Sequence, residues 1–287
     1  MFFQRTIYIF SLLLCNTSFS TPIMVCSAEN FYGSVAEMIG GKFVKVTNIL
    51  SNPDADPHLF SISPKIARAI TNARVVIYNG ADYDPWMIQF LAAQPSNNKL
   101  AVIDVAKLIG VKEGSNPHVW YNPQTFPVLA KFLAEKFSVI QPDNKSYFED
   151  NLKSFNTRYR VVFSLIDNIK FNHPGTPVIA TEPVFGYMSD ALGFSMEEKE
   201  FQWVIMNGSE PSPKMKADFI NKIKKKKVKI LFYNNQVTDS TTKDILSLAK
   251  QNNIQIVGIS ETMPDNKNVI EWLTSELDEI ENAMKDK

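Results

Sequence analysis

Histidine is scarce in this chain, three in 287 residues, and cysteine is scarcer still, with two. Cys15 falls in an N-terminal stretch expected to be removed, which leaves Cys26 alone, so an oxidising compartment has no intramolecular disulfide to make. Cys26, inside the apolar run Ile23-Met24-Val25-Cys26, is expected to be an inert core residue. Net charge is missing as well: 30 basic residues balance 30 acidic ones, so no overall field recruits nucleic acid or an anionic membrane. The apolar run Thr6 to Cys15 is too short to span a bilayer, which takes about 20 residues.

That short run has the layout of an export signal. Arg5 supplies a basic start, Thr6 to Cys15 the apolar centre, and Ser18-Phe19-Ser20 the small residues that a signal peptidase reads. Residues 1–20 are therefore expected to be a signal peptide cut after Ser20, with the mature protein in the periplasm. A lipid-anchored form cut before Cys15 is the weaker alternative, because Leu14 is bulky where a small residue is wanted.

The few histidines are placed alike. Two of the three occupy Pro-His steps, in Asp54-Ala55-Asp56-Pro57-His58 and in Ser115-Asn116-Pro117-His118-Val119-Trp120. A proline fixes its own φ and holds the preceding residue extended, which presents the following imidazole from a loop. Asp54 and Asp56 either orient His58 or cap the loop, with Asp56 the better candidate for orienting it. His173, between Asn172 and Pro174 with no acidic or aromatic neighbour, reads as a surface histidine.

The length fits two lobes, with 45% hydrophobic and 21% charged residues. Apolar strands at Pro22 to Ser27, Phe43 to Leu50, Val75 to Tyr78 and Leu100 to Val105 alternate with helical segments, which predicts a doubly wound parallel sheet. From Asn144 to about Phe171 no glycine or proline occurs, and apolar residues recur at helical spacing. Such a helix is on the order of 40 Å long and can cross from one lobe to the next, resisting wide hinge opening.

The pattern then repeats, with strands expected at Pro177 to Ala180, Val228 to Tyr233 and Ile254 to Ile259, and a polar loop through Phe201-Gln202-Trp203 and Glu210-Pro211-Ser212-Pro213. The predicted fold class is α/β: two doubly wound parallel-sheet lobes, residues 21–141 and 173–287, joined by one long helix within 142–172. The run Lys224 to Lys227 reads as an anion site or, preferably, as a solvated helix end whose cations complement the macrodipole.

In open α/β sheets ligands bind beyond the carboxyl ends of the strands. His58, Glu182 and Glu261 each fall just past a predicted strand, and His118 lies in a loop shortly after one. A glutamate beside a helix is often only a dipole partner, but these four, brought across a cleft, supply two neutral imidazoles and two carboxylates. Their summed charge of minus two balances a divalent cation.

With these motifs the chain resembles, over its full length, the zinc/manganese solute-binding proteins, the metal receptors of ABC importers. The resemblance rests on Ala28-Glu29-Asn30-Phe31-Tyr32-Gly33, Asp54-Ala55-Asp56-Pro57-His58, Asn79-Gly80, Asn116-Pro117-His118-Val119-Trp120, Thr181-Glu182-Pro183-Val184-Phe185-Gly186-Tyr187 and Ser260-Glu261-Thr262, in that order, with a long helix between the fourth and the fifth. It implies His58 and His118 as the first two metal ligands, Glu182 as the third, and Glu261 as the fourth, where the family usually has aspartate. It also implies a non-enzymatic, monomeric receptor that serves an ABC permease at the inner membrane.

Its cargo would be Mn²⁺ or Zn²⁺, with Fe²⁺ a third option. The glutamate in third position and the lack of histidine in residues 101–117 resemble the manganese-type members, although raw affinity at N/O sites favours zinc. Protonation of the ligands should favour release as pH falls. A secreted metal-dependent hydrolase is the competing reading, but it would need an open metal position and a general base, and no HExxH motif is present. Adhesion to host tissue, a theme among relatives, has no residue to support it.

Overall fold

The computed structural model describes residues 21–52, 60, 62–94, 99–237 and 240–285. The expected signal peptide, Asp54, Asp56 and His58 lie outside these residues. The first sheet is built from β1 (Ile23–Glu29), β2 (Val44–Leu50), β3 (Val75–Tyr78) and β4 (Ala101–Asp104), all parallel, in the order β2-β1-β3-β4. Parallel strands are buried on both faces, which is why β3 is apolar and buried along its whole length. Helices α1 (Asn30–Gly40), α2 (Pro64–Thr71), α3 (Pro85–Ala92) and the short α4 (Val105–Leu108) connect and cover them. Ser63 caps α2, its hydroxyl accepting from the Ile66 amide, with Pro64 as the first helical residue.

Next come α5 (Thr125–Ile140) and α6 (Lys145–Asn172), the long helix expected from the sequence. His173 caps its C-terminus and is half-buried. The second sheet repeats the first: β5 (Pro177–Ala180), β6 (Ser195–Glu197), β7 (Ile230–Asn234) and β8 (Gln255–Ile259), parallel, in the order β6-β5-β7-β8. It is accompanied by α7 (Gly186–Ala191), α8 (Lys199–Met206), α9 (Pro213–Lys224), α10 (Ser240–Gln251) and α11 (Val269–Lys285).

One expected loop is not a loop. Residues 195–206 form the edge strand β6 and the helix α8, which buries Phe201 and Gln202. The strand has only three residues, and Glu198, at φ 53°, turns the chain into α8 without a proline or glycine to mark the corner. Tertiary burial of Phe201 against Phe219, ring centroids 4.2 Å apart, overrides the polar composition. Lys224 to Lys227 are all exposed at and beyond the end of α9, as a solvated helix terminus requires.

Two buried clusters cover the outer faces of the two sheets, and the third and largest lies between the lobes. Cys26 belongs to the outer cluster of the first sheet, and burial pushes its thiol up to about 12. An aromatic chain crosses the central cluster: Phe31 to Trp272 at 5.6 Å, Trp272 to Tyr121 at 5.6 Å, Tyr121 to Phe185 at 5.1 Å and Phe185 to Phe232 at 4.9 Å between centroids. The lobes thus share a core as well as a helix, which limits their independent motion.

Candidate metal centre

In each sheet the strand order reverses between its two central strands, β1/β3 and β5/β7, the kind of switch point beside which ligands bind in open α/β sheets. Beyond β3, Gly80, Ala81 and Asp82 all have positive φ, 76°, 49° and 65°. A side chain at Gly80 would run into the Asp104 carboxylate, so glycine is required there. Asp84 holds this strained turn by accepting the amides of Asn79 at 2.7 Å and Gly80 at 2.9 Å. Burial pushes the Asp84 carboxyl up to about 6 against those bonds, and Glu29 is also raised, by burial and by Asp84. The turn aims Tyr83 across the cleft, where its hydroxyl donates to Oε2 of Glu261 at 2.9 Å.

His118 is 1% exposed, at the start of a 3₁₀ turn over Val119–Tyr121. Asn116 fixes it. The Asn116 amide nitrogen donates to the Pro183 carbonyl at 2.7 Å, so its oxygen faces His118, accepting the backbone amide at 3.1 Å and lying 2.6 Å from Nδ1. Nδ1 must then carry the proton, which makes Nε2 the electron-pair donor of the ring. Nε2 lies 4.0 Å from Oε2 of Glu261. The Asn79 side chain supports the same loop by donating to the Pro117 carbonyl at 2.8 Å.

From the second lobe, Glu182 follows β5 and is half-buried, and Glu261 follows β8 and is 5% exposed. Asn234, last residue of the intervening β7, joins them: its amide nitrogen donates to Oε2 of Glu182 at 2.9 Å and to Oε1 of Glu261. Gln236 accepts the Glu261 amide at 2.7 Å. The structure thus links His118, Glu182 and Glu261, the last two through an amide, while His58 lies outside the described residues. Among the described residues no three histidine, cysteine, aspartate or glutamate side chains are close enough to hold an ion unaided. The donor set nonetheless fits a divalent cation: a neutral amide ties the two carboxylates and contributes no charge to offset theirs.

Tyr83, Asn116, Asn234 and Gln236 were not assigned roles from the sequence. For Asn234 a signal existed, since it ends the strand between the two that precede the glutamates, but only the strand order reveals it.

Behind Glu261, the Tyr121 hydroxyl lies 2.8 Å from the Ser260 carbonyl and 2.9 Å from Oε1 of Glu276, to which Trp272 Nε1 also donates at 2.9 Å. Oε2 of Glu276 has no hydrogen-bond partner among the described residues. Burial pushes this carboxyl up to about 8, against the bonds from Tyr121 and Trp272. The unfolded chain releases that proton near pH 4.3 and the folded one near pH 8, so the native state loses stability as pH rises across that window. Glu276→Gln is expected to raise the melting temperature at pH 9 by several degrees relative to wild type, with little gain at pH 4, in calorimetric scans at both pH values.

The family model for the periplasmic component A of zinc-uptake complexes matches residues 25–283 of this chain. The manganese ABC transporter substrate-binding lipoprotein PsaA of Streptococcus pneumoniae is 25% identical over 245 residues, 80% of this chain and 78% of PsaA. The manganese-binding lipoprotein MntA of Bacillus subtilis is 24% identical over 255 residues, 84% of this chain and 82% of MntA. Among solved structures, the periplasmic zinc-binding protein TroA from Treponema pallidum superposes with a TM-score of 0.77 at 18% identity, covering 92% of this chain and 99% of TroA. That likeness establishes the shared fold.

Proposed function

This chain belongs to the zinc-uptake complex component A family, and from that membership we propose that it is a periplasmic receptor that captures a divalent transition-metal ion and delivers it to an ABC-type permease at the inner membrane. The ion is Mn²⁺ or Zn²⁺, with Fe²⁺ third, and His58, His118, Glu182 and Glu261 hold it. The observation that carries the reading is the junction at Asn234, where carboxylates from two loops of the second lobe are held together facing the His118 imidazole of the first. The related manganese-binding lipoproteins support manganese, and the zinc-uptake family supports zinc. The signal-peptide layout of residues 1–20 supports export, and in this reading the protein acts as a monomer without catalysis.

Capture and release need no chemistry from the protein beyond ligand exchange. Nε2 of His118 donates its lone pair, the glutamates supply charge, and Asn116 and Asn234 keep the donors aimed. Titration of the mature, metal-stripped protein with Mn²⁺ and Zn²⁺ tests the proposal: one ion per chain is expected, and Glu261→Ala should weaken it about 10-fold or more. No stoichiometric binding of either ion would refute it.

A further inference from the structure

Asn234 does more than join two ligands. It is 3% exposed and sits at the carboxyl end of β7, between β5 and β8. Parallel pairing sets it beside Ile259 and only two residues past Phe232, the partner of Ala180. One side chain from the middle strand therefore reaches the loops that follow both outer strands. Its orientation is not free to flip: the Gln236 amide donates to Asn234 Oδ1 at 3.1 Å, which forces the two amide hydrogens toward the carboxylates. Each hydrogen goes to one oxygen, Oε2 of Glu182 and Oε1 of Glu261.

A carboxylate can ligate a cation through one oxygen or two, and the number of oxygens offered sets the coordination number. Zinc is satisfied by four donors in a tetrahedron, whereas manganese takes oxygen-rich octahedral shells. An amide hydrogen on one oxygen of each carboxylate opposes chelation by both oxygens. On Glu261 the other oxygen, Oε2, faces Nε2 of His118 at 4.0 Å while accepting from Tyr83 through one of its lone pairs, and the backbone is fixed by Gln236.

Resting on the receptor reading above, we propose that Asn234 is a positioning residue that sets cation preference, holding Glu182 and Glu261 to single-oxygen ligation and so favouring a four-coordinate, zinc-like ion over a six-coordinate, manganese-like one.

The test uses the mature protein, Asn234→Ala and the nearly isosteric Asn234→Leu, which cannot donate. Competitive titration gives the Zn²⁺ to Mn²⁺ affinity ratio, and Co²⁺ reports geometry, since four-coordinate Co²⁺ absorbs visible light strongly and six-coordinate Co²⁺ weakly. Wild type should give the strong spectrum. Both variants should weaken it and lower the Zn²⁺ to Mn²⁺ ratio by about 10-fold or more. Should alanine fail to give a folded protein in a thermal melt, leucine alone decides. A ratio and a spectrum unchanged from wild type in a folded variant would overturn the role of Asn234 and leave the receptor reading standing. Failure of wild type to bind Zn²⁺, Mn²⁺ or Co²⁺ would overturn both.

Discussion

His118→Ala is expected to weaken capture of Zn²⁺ or Mn²⁺ by more than about 100-fold, beyond the roughly 10- to 100-fold typical of losing a group that only orients a ligand. Asn116 receives the Nδ1 proton, so Nε2 faces the cleft with its lone pair and lies 4.0 Å from Glu261. Alanine removes a nitrogen donor that neither carboxylate can replace, and Glu261 keeps only the Tyr83 hydroxyl as a described side-chain partner from the first lobe. Asn116→Ala leaves the imidazole but frees its ring, so its loss should stay within the 10- to 100-fold range. His173→Ala serves as the control, because that histidine caps α6 away from the cleft and should leave affinity unchanged. Chelator competition at neutral pH ranks the three. If His118→Ala bound as tightly as wild type, the imidazole would not be a ligand.

Most of the fold was legible in the sequence. Fully apolar strands such as Val75 to Tyr78, a proline-started helix after Ser63, and a long stretch without glycine or proline each carry a local physical signature that tertiary packing did not override. The error fell on residues 195–206, where the signature is weak: a strand of three residues, a corner made by a left-handed glutamate, and a helix identified by the burial of one phenylalanine.

Of the candidate site, only the ionisable members were legible. His118, Glu182 and Glu261 stand out because each falls in a loop past a predicted strand, and the structure brings the three together. Asn234, Gln236 and Asn116 are amides, common in loops, and their roles depend on which strands are neighbours and which way a side chain points. Strand order is a long-range property, decided by the packing of the lobes. So the charges could be read from local sequence, and the parts that orient them could not.

The other large effect concerns the core that the lobes share. Trp272→Ala is expected to destabilise the protein by about 3–5 kcal/mol, a large share of the roughly 5–15 kcal/mol that stabilises an ordinary domain. Trp272 is 1% exposed in α11, the last helix of the chain, which packs against α6 and α1 of the earlier chain. Its ring bridges Phe31 and Tyr121, each at 5.6 Å, and its Nε1 donates to Glu276 at 2.9 Å. Alanine would remove the ring volume and take a donor from a buried carboxyl at once, whereas Trp272→Phe keeps most of the volume and should cost less. Phe171→Ala offers the opposite extreme: that ring is 84% exposed, so its loss should change stability by no more than about 0.5 kcal/mol. Urea titrations of the three variants give the order. Equal stability of Trp272→Ala and wild type would mean that the lobes are held by α6 alone. A single, earlier transition for Trp272→Ala would mean that they fold as one unit, which a receptor needs if its ligands come from both lobes and must meet within a fraction of an ångström.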